Sequence, residues 1–259
     1  MSKFNKVSKT LFVPMMGRIY SSENYPNILY DKTALKLKPK LPNINKKQSE
    51  YTFMASAVRS MNIDRYVKDY LKRNTNGIII ELGCGLETTY NRCYDGKTKW
   101  YELDLPEVIE YRVELLPQHE NQTLIKGSIL EDDWLENFDL NTPVLFIAGG
   151  LFHYFSHDEV IKSFKILQNF KNAELVFDTL NKWGIRGIKR YMKELGHDEA
   201  TMYFYVDNGE KLAKKIGATL LREEKYYKHT NKKGMQFMTK LSMIISDLLN
   251  MVKMIHLKL

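Results

Sequence analysis

Apolar and polar positions alternate in blocks along this chain, and the blocks change period. From Glu50 to Lys72 the apolar residues Met54, Ala57, Val58, Met61, Tyr66, Val67, Tyr70 and Leu71 recur at three- and four-residue steps. That spacing predicts amphipathic helix. Asn74-Thr75-Asn76-Gly77 then supplies turn chemistry. Short apolar runs follow, separated by helical stretches. Strands are predicted at Gly77–Glu81, Lys99–Leu103, Thr123–Lys126, Val144–Ala148, Glu174–Phe177 and Thr219–Tyr227. Between them, helices are predicted from Pro106 to about Leu116, briefly over Asp133–Asn137, from the Ser156/Glu159 capping box to about Phe170, and over Asn208–Ile216. Leu241–Val252 has helical spacing, and Met254–Leu259 alternates as a final edge strand. Residues 181–208 fit neither period and read as helical cap.

Strand and helix in alternation predict an α/β, Rossmann-like fold, a mostly parallel sheet of seven strands covered on both faces. At 259 residues one such domain suffices. Leu35–Lys47, with Pro39, Pro42 and its lysines, reads as irregular. It divides a basic N-terminal arm or helical cap (1–48) from the main domain (49–259).

Charge sharpens that division. The net charge is +8, and residues 1–50 hold ten Lys/Arg against three acids, a net of +7. The excess is confined to one arm, which reads as a solvated surface, with contact to phosphates or an acidic carrier as the alternative. No apolar run reaches the roughly 20 residues of a membrane span, and the start of the chain lacks a signal-peptide core. Cys84 and Cys93 are too few for a disulfide framework or a zinc site, so no metal is expected. A cytoplasmic protein with reduced thiols follows, acting without nucleic acid or membrane.

The candidate chemistry lies at the end of the first strand. Ile78-Ile79-Ile80-Glu81-Leu82 runs into Gly83-Cys84-Gly85, and Asp104 closes the second strand 19 residues past Gly85. A glycine turn followed by an acid at the next strand tip is how a Rossmann-like half-sheet holds adenosine, with the acid on the ribose. The third glycine of dinucleotide binders is replaced by Thr88, which disfavours a nicotinamide oxidoreductase. Glu81 and Asp104 instead suit S-adenosylmethionine (SAM), whose ammonium welcomes a carboxylate.

Three blocks then resemble the leucine carboxyl methyltransferase family, and within it the bacterial branch of polyketide O-methyltransferases. They are Arg59-Ser60-Met61-Asn62-Ile63-Asp64, Glu81 through Arg92, and Trp100-Tyr101-Glu102-Leu103-Asp104-Leu105-Pro106 onward. Gly127-Ser128 with Trp134, and Gly150-Leu151-Phe152-His153-Tyr154-Phe155, support them. The likeness covers roughly residues 10 to 180. It implies that Arg59 pairs with the SAM carboxylate and that Gly83 and Gly85 pass beside the methionine portion. Asp104 and Leu105 would lie at the ribose. Ser128, Ile129 and Glu131 would hold adenine, with Asp132 and Asp133 as rivals in a loose register, and Arg92 would brace the sheet. Gly149 stands at the cofactor position where several members carry glutamate, which removes a carboxylate from the methionine end.

Methyl transfer to a hydroxyl needs a base. His153, beyond the fourth strand, is the base candidate from position and chemistry, and a histidine hydrogen-bonded into the wall is the alternative reading. Tyr154 is a pocket candidate and Asp178 a third. A carboxylate acceptor needs no base. The resulting expectation is a SAM-dependent O-methyltransferase acting on the hydroxyl or carboxyl of a small molecule. The alternatives are a protein C-terminal carboxyl methyltransferase and a noncatalytic SAM-binding partner or sensor. The sequence leaves the acceptor and the oligomeric state open.

Overall fold

The computed structural model describes residues 7–41, 48–187 and 202–259. Its seven strands form one sheet in the order β3-β2-β1-β4-β5-β7-β6. They are β1 (Ile78–Leu82), β2 (Trp100–Asp104), β3 (Gln122–Lys126), β4 (Val144–Ala148), β5 (Ala173–Leu180), β6 (Thr219–Lys225) and β7 (Val252–Lys258). Strands β1 to β5 pair in parallel, and β7 runs antiparallel to both of its neighbours. The crossing from β3 back over to β4, beside β1, opens the switch point at which such sheets bind ligands.

Helices are α1 (Val7–Asn24), α2 (Lys32–Leu37), α3 (Glu50–Arg73), α4 (Thr89–Cys93), α5 (Pro106–Leu115), α6 (His157–Leu167), α7 (Gly209–Ile216) and α8 (Phe237–Leu248). One face of the sheet packs Ile80, Leu82, Phe146 and Phe177 against Phe152, Phe164 and Leu212. The other packs Ile79, Ile147 and Val176 against Val58, Tyr66 and Val67 of α3. Burial on both faces explains why β1 and β4 are near-continuous apolar runs.

Three expectations change. The final strand is not an edge. β7 lies between β5 and β6, with Lys253 to Leu257 buried. Its polar residues are paired internally: Lys253 Nζ lies 2.7 Å from Glu223, and His256 Nε2 2.7 Å from Glu174. Alternation here records buried pairs, not a wet face. The stretch after Leu35 is also not wholly irregular. Asp31 caps α2 by accepting from Ala34 N–H (2.9 Å), and a 3₁₀ turn follows at Lys38–Lys40; residues 42–47 lie outside the described residues. Finally, Arg18 of the basic segment is buried and ion-paired rather than solvated. Half of the cap expected at 181–208 falls on 188–201, also outside the described residues, while 182–187 are helical.

Candidate active site

The turn after β1 needs glycine at two points. Gly83 has φ +61° and Gly85 φ +47°, left-handed conformations that cost other residues energy. Gly83 N–H donates to Leu103 O (2.8 Å), and Gly85 N–H donates to Asp104 Oδ2 (2.7 Å). Asp104 Oδ1 accepts from Leu105 N–H (2.8 Å). The carboxylate is half-buried, so each oxygen keeps capacity for a further donor. Burial raises its pKa against the pull of the two amide N–H groups.

Arginines hold the turn's carbonyls from behind. Arg112 on α5 forks onto Glu102 (2.6 Å twice) and donates through Nη1 to Gly85 O (3.0 Å) and Glu87 O (2.7 Å). Arg18 on α1 donates to Leu86 O (2.6 Å) and pairs with Asp31 (3.0 Å) and Glu87 (2.8 Å). Arg92 on α4 forks onto Asp64 (2.8 and 2.9 Å) and meets Asp31, Glu87 and the Thr88 hydroxyl. Thr88 Oγ1 also donates to Asp31. A residue that reads in sequence as a missing glycine is thus a buried hydrogen-bonding bridge. Arg92 does brace this region, with Asp64 and Glu87 from the blocks that resemble the family, while Arg18, Asp31 and Arg112 had no role assigned from sequence.

Glu81 is buried in β1, with Oε1 accepting from Thr89 (3.0 Å) and Oε2 without a partner among the described residues. Burial raises its pKa well above the usual carboxylate range, reinforced by Glu102 and Glu87. A buried carboxyl with an orphaned oxygen suits a cationic ligand group, which would restore its ionised form.

A second cluster forms at the ends of β4 and β5. Gly150 has φ +70°, and its N–H donates to Asp178 Oδ1 (2.6 Å). Arg59 Nε donates to Asp178 Oδ2 (2.9 Å), and His153 Nε2 lies 3.4 Å from the same oxygen. Burial alone would raise the Asp178 pKa, yet Arg59, His153 and the Gly150 N–H pull it well below the usual range. Asp178 lies inside β5 rather than at its tip, because the strand runs on to Leu180. A Cβ on Gly150 would stand 2.6 Å from Arg59 Nη1, and one on Gly149 3.3 Å from Arg59 Cδ. The paired glycines therefore open the path Arg59 crosses. Its side chain keeps 23% exposure, leaving an open face beyond the ion pair. His153 is buried, and its Nδ1 has no partner among the described residues. Tyr154 is 43% exposed, and Tyr226, which carried no sequence signal, stands beside Arg59.

The loop after β3 is tied to this end of the sheet by Gly127 N–H to Asp104 O (3.0 Å). Ile129 is buried and Ser128 half-buried, its Oγ accepting from Leu130 N–H (3.2 Å). Glu131, Asp132 and Asp133 are exposed on the rim of a shallow cleft shared with Lys162. Among the described residues no cluster of His, Cys, Asp and Glu is fit for a metal ion.

A half-buried carboxylate with acceptor capacity, an orphaned carboxyl and a partly open guanidinium thus lie at one end of the sheet. The family model for leucine carboxyl methyltransferase matches residues 14–168. The tetracenomycin polyketide synthesis O-methyltransferase TcmP of Streptomyces glaucescens is 23% identical over 230 residues, covering 84% of this chain and 82% of that protein. An S-adenosyl-L-methionine-dependent methyltransferase, dpfgK, of Gibberella zeae is 22% identical over 245 residues, with 85% and 82% covered. In fold, the crystal structure of a putative methyltransferase from Thermobifida fusca superposes with a TM-score of 0.56 at 15% identity, over 99% of each chain. The chain belongs to the leucine carboxyl methyltransferase family and is a SAM-dependent methyltransferase.

Proposed function

We propose that this enzyme is an O-methyltransferase for small molecules, acting on a hydroxyl or carboxyl group. The observation that carries this reading is the His153–Asp178 pair at the ligand end of the sheet, with His153 Nδ1 unpartnered. An imidazole held through one nitrogen by a carboxylate, with the other buried and unpartnered among the described residues, has the arrangement of a general base for an acceptor that reaches that nitrogen.

When bound, the cofactor supplies a methyl group already attached to a good leaving group. Arg59 binds its carboxylate, Glu81 its ammonium and Asp104 its ribose. Gly83, Gly85 and Gly149 keep backbone low beside its methionine portion. Leu105 borders the ribose with Asp104, and Ser128 and Ile129 border the adenine, with Glu131 at the rim. His153 takes the proton from an acceptor hydroxyl at Nδ1, and Asp178, held ionised by Arg59, orients the ring and stabilises the imidazolium. Tyr154 borders the acceptor. Residues 1–48 act as a cap on the 49–259 domain, and the enzyme works in the cytoplasm. Among the described residues, no helix is long and apolar enough to cross a membrane.

The test is turnover with SAM against a panel of phenols, aliphatic alcohols, carboxylic acids and amines, with S-adenosylhomocysteine as the readout. O-methylated products support the reading. Products methylated only on nitrogen, or on the C-terminal carboxyl of a protein, overturn it.

A further inference from the structure

Helix α8 is amphipathic the wrong way round for a surface helix of a lone molecule. Its buried side chains are Thr239, Met243 and Ser246, two of the three polar. Its outward face carries Phe237, Met238, Leu241, Ile244, Ile245, Leu248 and the following Leu249, with Phe237 74% and Leu248 72% exposed. Phe237, Leu241, Ile244 and Leu248 are spaced four, three and four apart, the seam spacing of paired helices. With about 200 Å² for each fully exposed large side chain, these residues present roughly 800 Å² of apolar surface. The largest apolar patch of a typical monomer is about 300–600 Å², whereas a standard interface buries about 800 Å² per partner.

The flank of the stripe says which partner fits. Lys240 and Asp247 lie two turns apart along one edge of it, about 10.5 Å by helix rise. If two copies of α8 pack antiparallel about a two-fold axis between Met243 and Ile244, Lys240 of each faces Asp247 of the other. Opposite charges then meet twice, and no like pair is created on that flank. A helix seated on lipid would instead be bordered by cations. The same surface continues towards exposed Trp183, whose turn is tied to the end of α8 by Asn181 Nδ2 to Leu249 O (3.0 Å).

We propose that the chain forms a two-fold dimer through antiparallel α8 helices. Sedimentation velocity on the full chain over a micromolar concentration series tests this directly. The wild type is expected to sediment at twice the monomer mass. Ile244→Glu and Leu248→Glu, at exposed positions, should each weaken dimerisation by about 30-fold or more while SAM affinity is retained. Lys240→Glu, which sets like charges opposite each other, should weaken it several-fold. A wild type that stays monomeric throughout, a monomer that co-sediments with anionic phospholipid vesicles, or a dimer that survives both glutamate variants would overturn the proposal.

Discussion

Arg59 and Asp178 lie 119 residues apart in sequence and meet at 2.9 Å, Nε to Oδ2, at the ligand end of the sheet. The contact joins α3 to β5 and fixes both the Arg59 guanidinium and the carboxylate beside His153.

The pair has a pH signature. Asp178 titrates in the folded state below its unfolded value of about 3.9. Its stabilisation is therefore fully present above about pH 4 and is lost as pH falls through the lower folded value. Asp178→Asn should cost about 3 kcal/mol at neutral pH, by leaving Arg59 without its counter-charge. Its stability should converge on that of the wild type as pH drops below about 4, measured by urea unfolding at stepped pH. A constant gap down to the lowest pH would contradict the assignment.

Gly150→Ala tests the crossing. The new Cβ would stand 2.6 Å from Arg59 Nη1, on a residue held at φ +70°. The expected result is a loss of about 1–2 kcal/mol in stability and a roughly tenfold weaker SAM affinity, about 1.4 kcal/mol. Unchanged calorimetric affinity would mean that Arg59 does not depend on the glycine pair.

Thr88→Gly restores the third glycine of a dinucleotide fingerprint. It should create no affinity for NAD, because Thr88 is part of the bridge to Asp31 and Arg92. Removing the hydroxyl from that buried network should cost about 2–3 kcal/mol, read from denaturant midpoints.

His153→Ala separates the two acceptor chemistries. With a hydroxyl acceptor, kcat should fall by roughly 10²–10⁴-fold with SAM affinity unchanged. With a carboxylic acid acceptor, kcat should barely move. A loss of cofactor affinity equal to the loss of rate would make His153 a structural wall residue.

Much of this was legible before the structure. Strands β1 and β4 and most of β5 are buried on both faces, so they appear as short apolar runs, and the glycine turn and Asp104 lie where the strand reading predicts. What was hidden depends on tertiary pairing. Lys253 and His256 look like solvent positions until Glu223 and Glu174 arrive from neighbouring strands. Thr88 looks like a deviation until Asp31, from 57 residues upstream, accepts its hydroxyl. Arg18 looks like one more surface cation until it meets the carbonyl of Leu86. A local pattern carries no record of such partners. Helix α8 was expected at Leu241–Val252 and is present, but it runs from Phe237 to Leu248, and its apolar period marks the face turned outward.

Isothermal titration of the purified chain with SAM and with NAD, repeated on Asp104→Ala and Arg59→Ala, tests the central claim most directly. The account predicts that SAM binds and NAD does not, and that each substitution weakens SAM by about 10- to 100-fold, the loss of one charge-assisted hydrogen bond. No binding of SAM by the wild type, or affinity unchanged in both variants, would contradict it.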